Sequence, residues 1–153
     1  PTLKEIHLAD TRVIGTELKA LAVLKNLHTL NLSSSKVIDS TMKEVATIKG
    51  LQHLYLTSTK ISDTGIKELA SIPTLKSLFI SSTKITEPGL KNLLLFKELT
   101  TLSVGYNALS NDGAKTLGTL AKLQHLDIND TEISDAGLKE INSLRELKTL
   151  DLN

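Results

Sequence analysis

Residues 51–75, LQHLYLTSTKISDTGIKELASIPTL, hold one complete unit of this chain's architecture. Leu54 and Leu56 alternate with His53, Tyr55 and Thr57, the period-two pattern of a strand with one buried face. Ser62 and Asp63 then supply short polar side chains of the kind that cap exposed helix N–H groups. Ile66, Leu69 and Ile72 follow at helical spacing, which predicts a short helix with one apolar stripe.

The unit recurs. Leu3, Leu27, Leu51, Leu75, Leu99, Leu123 and Leu147 stand 24 residues apart without an insertion. Aligned on that leucine, the units begin LKEIHLADT, LHTLNLSSS, LQHLYLTST, LKSLFISST, LTTLSVGYN, LQHLDINDT and LKTLDLN. A fixed period of this length means stacked repeats, because one unit alone cannot bury its apolar faces. Each strand is reached through a helix, so the strands must be parallel. Strands pack about 4.8 Å apart and helices about 8–10 Å apart, so the helical side is longer and the stack bends around its sheet. The expected fold is an α/β solenoid, with a parallel sheet on the concave face and short helices on the convex face. Its single domain spans residues 1–153, six full repeats from Leu3 plus a seventh strand over 147–153. Neither end carries a polar capping unit, and Leu150 and Leu152 have no helix of their own to cover them. The chain is therefore expected to be a segment of a longer protein, or to have its ends covered by further repeats or by self-association.

The pattern LxxLxLxxTxIxDxGLKxLAxLxxL, fullest in residues 51–75 and 123–147, resembles a leucine-rich repeat of the 24-residue bacterial kind. Residues 107–118, NALSNDGAKTLG, are also similar to the GALA-type repeats of some bacterial effectors and to the ribonuclease-inhibitor-like class. The resemblance implies a protein-binding horseshoe, usually one part of a larger protein. One departure is the ninth position, where the family's usual Asn, bonded to loop backbone, is assigned only to Asn107 and Asn153. Thr11, Ser35, Thr59, Thr83 and Thr131 replace it elsewhere. A hydroxyl satisfies fewer backbone groups than an amide, so a simpler internal bonding ladder is expected.

The formal net charge of +1, with signs mixed, gives no electrostatic case for nucleic acid. The absence of cysteine removes disulfides and Cys-based metal sites. No apolar run approaches the roughly 20 residues that cross a bilayer, so no membrane insertion is expected. Localisation stays open. Asn31 in NLS and Asn129 in NDT match glycosylation acceptors, yet both fall on the concave side, where a glycan would block binding.

The chemistry lies at the outward strand positions. All four histidines, His7, His28, His53 and His125, fall there, as do Tyr55, Phe79 and Tyr106. Phe96, the fourth aromatic, sits at a helix position that other repeats fill with Leu or Ile and belongs to the core. Tyr55 and Phe79 share a position in consecutive repeats and so lie side by side, with Tyr106 one strand further on, nearer the strand end. Exposed grouped rings are what a binding hot spot requires; the alternative is that the pair only stabilises the sheet. Around them the surface is small and neutral, including Ser77, Ser81, Thr101 and Ser103, while Asp127, Asp130 and Asp151 gather toward the C-terminal end. These acids suit a basic residue of a partner better than calcium, which wants six to eight oxygens. The expected partner-binding set is His53, Tyr55, Ser77, Phe79, Thr101, Ser103, Tyr106, His125, Asp127 and Asp151.

No cofactor or metal is expected. The histidines are too dispersed for zinc. Ser103, His125 and Asp127 are the residue types of a nucleophilic triad, but His125 and Asp127 are two apart on one strand, about 6.7 Å by strand rise. Lys19, Lys43, Lys67, Lys91, Lys115 and Lys139 repeat on the helices, preceded four residues earlier by Asp39, Asp63, Glu87 and Asp135 in four repeats, read as acid-first helix pairs. The recurring Gly65, Gly89, Gly113 and Gly137 are assigned to close packing at the helix start. The reading is a non-enzymatic module binding a protein or peptide on its concave surface. Its alternatives are an architectural spacer in a larger protein, or the substrate-recognition part of a bacterial effector or ubiquitin-ligase adaptor.

Overall fold

The computed structural model describes residues 2–15 and 18–153. Seven three-residue strands form one parallel sheet in sequence order: β1 (Glu5–His7), β2 (Thr29–Asn31), β3 (His53–Tyr55), β4 (Ser77–Phe79), β5 (Thr101–Ser103), β6 (His125–Asp127) and β7 (Thr149–Asp151). Five seven-residue helices alternate with them from the second repeat onward: α1 (Asp39–Val45), α2 (Asp63–Leu69), α3 (Glu87–Leu93), α4 (Asn111–Leu117) and α5 (Asp135–Ile141). The first repeat departs from the pattern with a 3-10 segment, Leu18–Val23, tightened by the Leu18 N–H donating to the Gly15 carbonyl three residues back.

Register is uniform, each residue pairing with its equivalent 24 positions on: Ile6, Leu30, Leu54, Leu78, Leu102, Leu126 and Leu150 form one row. With the helix residues Met42, Ile66, Leu69, Leu90, Leu93 and Leu117, Leu30, Leu54, Leu78, Leu102 and Leu126 of this row build a continuous core; Ile6 packs against it and Phe96 joins it, 5% exposed. Burial fades at both ends, where Leu3, Leu150 and Leu152 are exposed.

Two polar ladders run beside the core. In the first, the ninth-position hydroxyls each donate to the carbonyl three residues earlier: Thr11 to Leu8, Ser35 to Leu32, Thr59 to Leu56, Thr83 to Ile80 and Thr131 to Ile128, at 2.5–2.9 Å. Asn107 does more. Its Nδ2 donates to the carbonyls of Val104 (2.9 Å), Ile80 (2.9 Å) and Gly105 (3.2 Å), and its Oδ1 accepts from the Thr83 N–H (3.1 Å), so one amide ties two repeats together. Asn153 is a correction. Register places it at the seventh position, where its carbonyl accepts from Asp130 N–H as that of Asn129 accepts from Tyr106, and its amide bonds the Asp151 carboxylate.

The second ladder corrects the reading of the helix acids. Asp39 does not serve Lys43: its Oδ1 accepts from the backbone N–H groups of Ser62 (2.7 Å) and Gly65 (3.1 Å), and its Oδ2 from the Ser62 hydroxyl (2.6 Å). Asp63 accepts likewise from Thr86, Glu87 from Ser110, and Asn111 from Ser134. Helices α1 to α4 thus each hold the N-cap residue of the next helix, and Asp39 also reaches the Gly65 N–H in the first turn of α2, at the positive end of its dipole. Lys43 instead meets Glu68 of the next helix at 3.9 Å. The ladder also explains three of the four glycines: a Cβ at Gly65 would stand 2.6 Å from Asp39 Oδ1, one at Gly137 2.5 Å from Asn111 Oδ1 and one at Gly89 closer still to Asp63 Oδ1, whereas one at Gly113 would first meet Leu90, at 3.2 Å. In the first junction the roles are exchanged, Gly15 leaving room for the Thr41 side chain, whose hydroxyl donates to the Ile14 carbonyl (2.9 Å).

The residue eight positions into each repeat, Asp10, Ser34, Ser58, Ser82, Tyr106 and Asp130, has positive φ between 47° and 57°. No glycine occupies any of them, so each of the first six strands is followed, three residues after its end, by a left-handed residue that costs about 1–2 kcal/mol.

Candidate functional site

The concave face is a grid fixed by the sheet register. One row runs His7, Asn31, Tyr55, Phe79, Ser103, Asp127, Asp151; a second runs Glu5, Thr29, His53, Ser77, Thr101, His125, Thr149. Of the expected binding residues, Tyr55 and Phe79 are brought together most tightly, their rings parallel to within 3° at a centroid distance of 4.3 Å. That separation is close to the strand spacing, so the stack points along the strand-to-strand direction and both rings are only partly buried.

His53 lies on the same strand as Tyr55, and its Nδ1 is 3.0 Å from the Ser77 hydroxyl. Partial burial holds the His53 pKa below the ordinary histidine value, with the neighbouring His28 and Lys76 pushing the same way. His28, which the sequence reading left out of the binding set, meets His53 edge to face at 6.4 Å. His125 bonds Thr149 on β7 at 2.8 Å.

Several small residues are not free surface. Ser77, Ser81 and Ser103 are buried, because short side chains sink between larger neighbours on flanking strands. The Ser103 hydroxyl donates to Asp127 Oδ2 at 2.6 Å, and Ser81 lies 2.6 Å from Ser103, so the two serines form a chain of hydroxyls ending on the carboxylate. The other Asp127 oxygen accepts from the Asn129 N–H (3.0 Å). Thr101 is half-buried beside them. Asp151 is exposed on the edge strand.

Tyr106 does not join the ring stack. It is 57% exposed, has a left-handed backbone, and lines a groove with Asp130 and Glu132. Nor do Ser103, His125 and Asp127 form a catalytic relay, since the serine bonds the aspartate directly while the histidine bonds a threonine one strand away. A cleft of about 560 Å³ lies on the opposite side, between α3 and α4, lined by Glu87, Pro88, Lys91, Leu94 and Lys115.

Comparison with known proteins supplies the family. A leucine-rich-repeat family model matches residues 51–70, 98–118 and 119–141. Internalin C2 from Listeria monocytogenes superposes with a TM-score of 0.79 at 27% identity, over 99% of this chain and 62% of its own. A second internalin, inlF of the same organism, superposes with a TM-score of 0.67 at 22% identity, over 99% of this chain and 48% of its own, a likeness of fold. The chain thus spans less than two thirds of either internalin. No curated protein sequence gives a significant match. With a 24-residue leucine repeat, one parallel sheet and these neighbours, the chain is a bacterial-type leucine-rich repeat protein.

Proposed function

We propose that this chain is a non-enzymatic recognition module that holds a protein or peptide along its concave face, with Tyr55 and Phe79 as anchors. The observation that carries the reading is the stacked ring pair, placed near the middle of a seven-strand face and left partly open to solvent. Rings bury about 150–250 Å² each on contact, at small entropic cost, and central aromatics dominate interface energetics. His53 and Thr101 flank the rings with polar groups, and the Asp127 and Asp151 carboxylates give the C-terminal side of the face a negative end. The leucine-rich-repeat fold and its internalin neighbours support an interaction role in general terms.

The test is affinity capture with the wild-type chain and the Tyr55→Ser, Phe79→Ser double variant, both checked for folding. A Lys67→Ser variant on the convex side serves as control. Loss of a captured partner by the double variant alone supports the reading. Identical capture by all three would make the rings a sheet-stabilising pair and put binding elsewhere on the chain; no capture by any would favour a spacer.

A further inference from the structure

The ring stack ends abruptly on one side. Tyr55 covers one face of Phe79, but the residue opposite the other face, across the β4–β5 register, is Ser103, a small side chain sunk into the sheet. Because the rings stack along the strand-to-strand direction, the uncovered face of Phe79 looks out over β5. The next residue in the row is Asp127 on β6, and its carboxylate leans back over β5, held 2.6 Å from the Ser103 hydroxyl. Gly105, two residues past the end of β5, adds no side chain to fill the space.

The result is a slot two strand spacings wide, about 9.6 Å between backbones. Phe79 is its wall, Ser103 its floor and Asp127 an anion at its edge. Both Asp127 oxygens are held in place, by Ser103 and by the Asn129 N–H, and among the described residues the carboxylate has no ion pair. We infer that the slot receives an arginine side chain of the bound protein or peptide. A guanidinium entering edge-first stacks on the ring face at about 3.5–4 Å and directs its N–H edge to the carboxylate at about 2.8 Å. A planar cation satisfies both walls at once. An ammonium is compact and strongly hydrated, and it cannot lie flat on the ring while meeting the carboxylate with two donors. The inference rests on concave-face binding as the function and specifies what the face reads.

A random peptide library displayed against the wild-type chain tests it. The expected result is enrichment of arginine-containing peptides whose affinity falls at least tenfold with Phe79→Ser, at least tenfold with Asp127→Asn, and at least tenfold when the peptide's arginine is replaced by lysine. The last comparison needs no change to the protein, so a variant that folds poorly cannot imitate it. Enriched peptides that depend on Tyr55 and Phe79 but contain no required arginine would overturn the arginine slot and leave concave-face recognition standing. No enrichment, or peptides indifferent to Phe79 and Asp127 alike, would overturn both.

Discussion

Asn107 is the position at which the internal bonding of the solenoid can be measured. Its side chain is 6% exposed and serves four backbone groups, but they are unequally dependent on it. The Ile80 carbonyl also accepts from the Thr83 hydroxyl, and that of Gly105 from the Ser82 N–H. Only the Val104 carbonyl and the Thr83 N–H are left with no other bond among the described residues. Asn107→Ala orphans both, and at about 1–3 kcal/mol per unsatisfied buried group the cost is about 2–6 kcal/mol. Asn107→Thr installs the residue found at this position in most other repeats, whose hydroxyl reaches the equivalent of the Val104 carbonyl. Only the Thr83 N–H is then left, and the cost falls to about 1–3 kcal/mol. Urea unfolding followed by circular dichroism, comparing midpoints at unchanged slope, reads both values. Equal costs for Thr and Ala, or a cost below about 1 kcal/mol for Ala, would refute this accounting.

Gly89→Ala should destabilise by about 1–3 kcal/mol through overpacking, since the new methyl is driven onto Asp63 Oδ1. Adding Asp63→Ala should cost less than the sum of the two single changes, read by a double-mutant cycle. The Ser110 hydroxyl and N–H hold the Glu87 pKa below the ordinary glutamate value. The stability this adds is complete above the unfolded-state pKa and is lost as pH falls through the lower folded one. The penalty of Ser110→Ala should therefore be largest at neutral pH and shrink in acid, as pH-resolved melting would show. His53 resists protonation in the folded chain, so stability should decline as pH drops below the ordinary histidine range. His53→Gln should remove part of that decline; an unchanged pH profile would exclude His53 as its source.

The fold was legible because a leucine every 24 residues constrains strand, turn and helix together, and no local propensity contradicts it. That Tyr55 and Phe79 lie side by side could be read as well, since equal positions in consecutive repeats must be neighbours in a parallel sheet; that their rings stack could not. Which outward residues stay exposed could not. Ser77 and Ser103 look like surface in a period-two pattern, and they are buried only because their cross-strand neighbours are larger. The helix acids were misread for a related reason. Within one helix, Asp39 and Lys43 have the spacing of a pair, and only the neighbouring repeat reveals that the carboxylate has Ser62 and Gly65 to satisfy. Left-handed Ser, Tyr and Asp residues at the eighth position carry no compositional signal, as glycine is the usual mark of such a turn.

The contacts of Asp39, Asp63 and Asn111 with Gly65, Gly89 and Gly137 of the next helix make these junctions a lock that only some neighbours open. Removing residues 63–86 would set Asp39 against Ser62 and Gly89, the same fit as before, so a repeat can leave the middle of the chain without disturbing its seam. Removing residues 39–62 would set Gly15 against Gly65, a gap with neither carboxylate nor threonine to fill it. The interior of this solenoid is therefore able to lengthen or shorten by whole units through unequal exchange, whereas the junction between its first two repeats is committed to the pair that meets there.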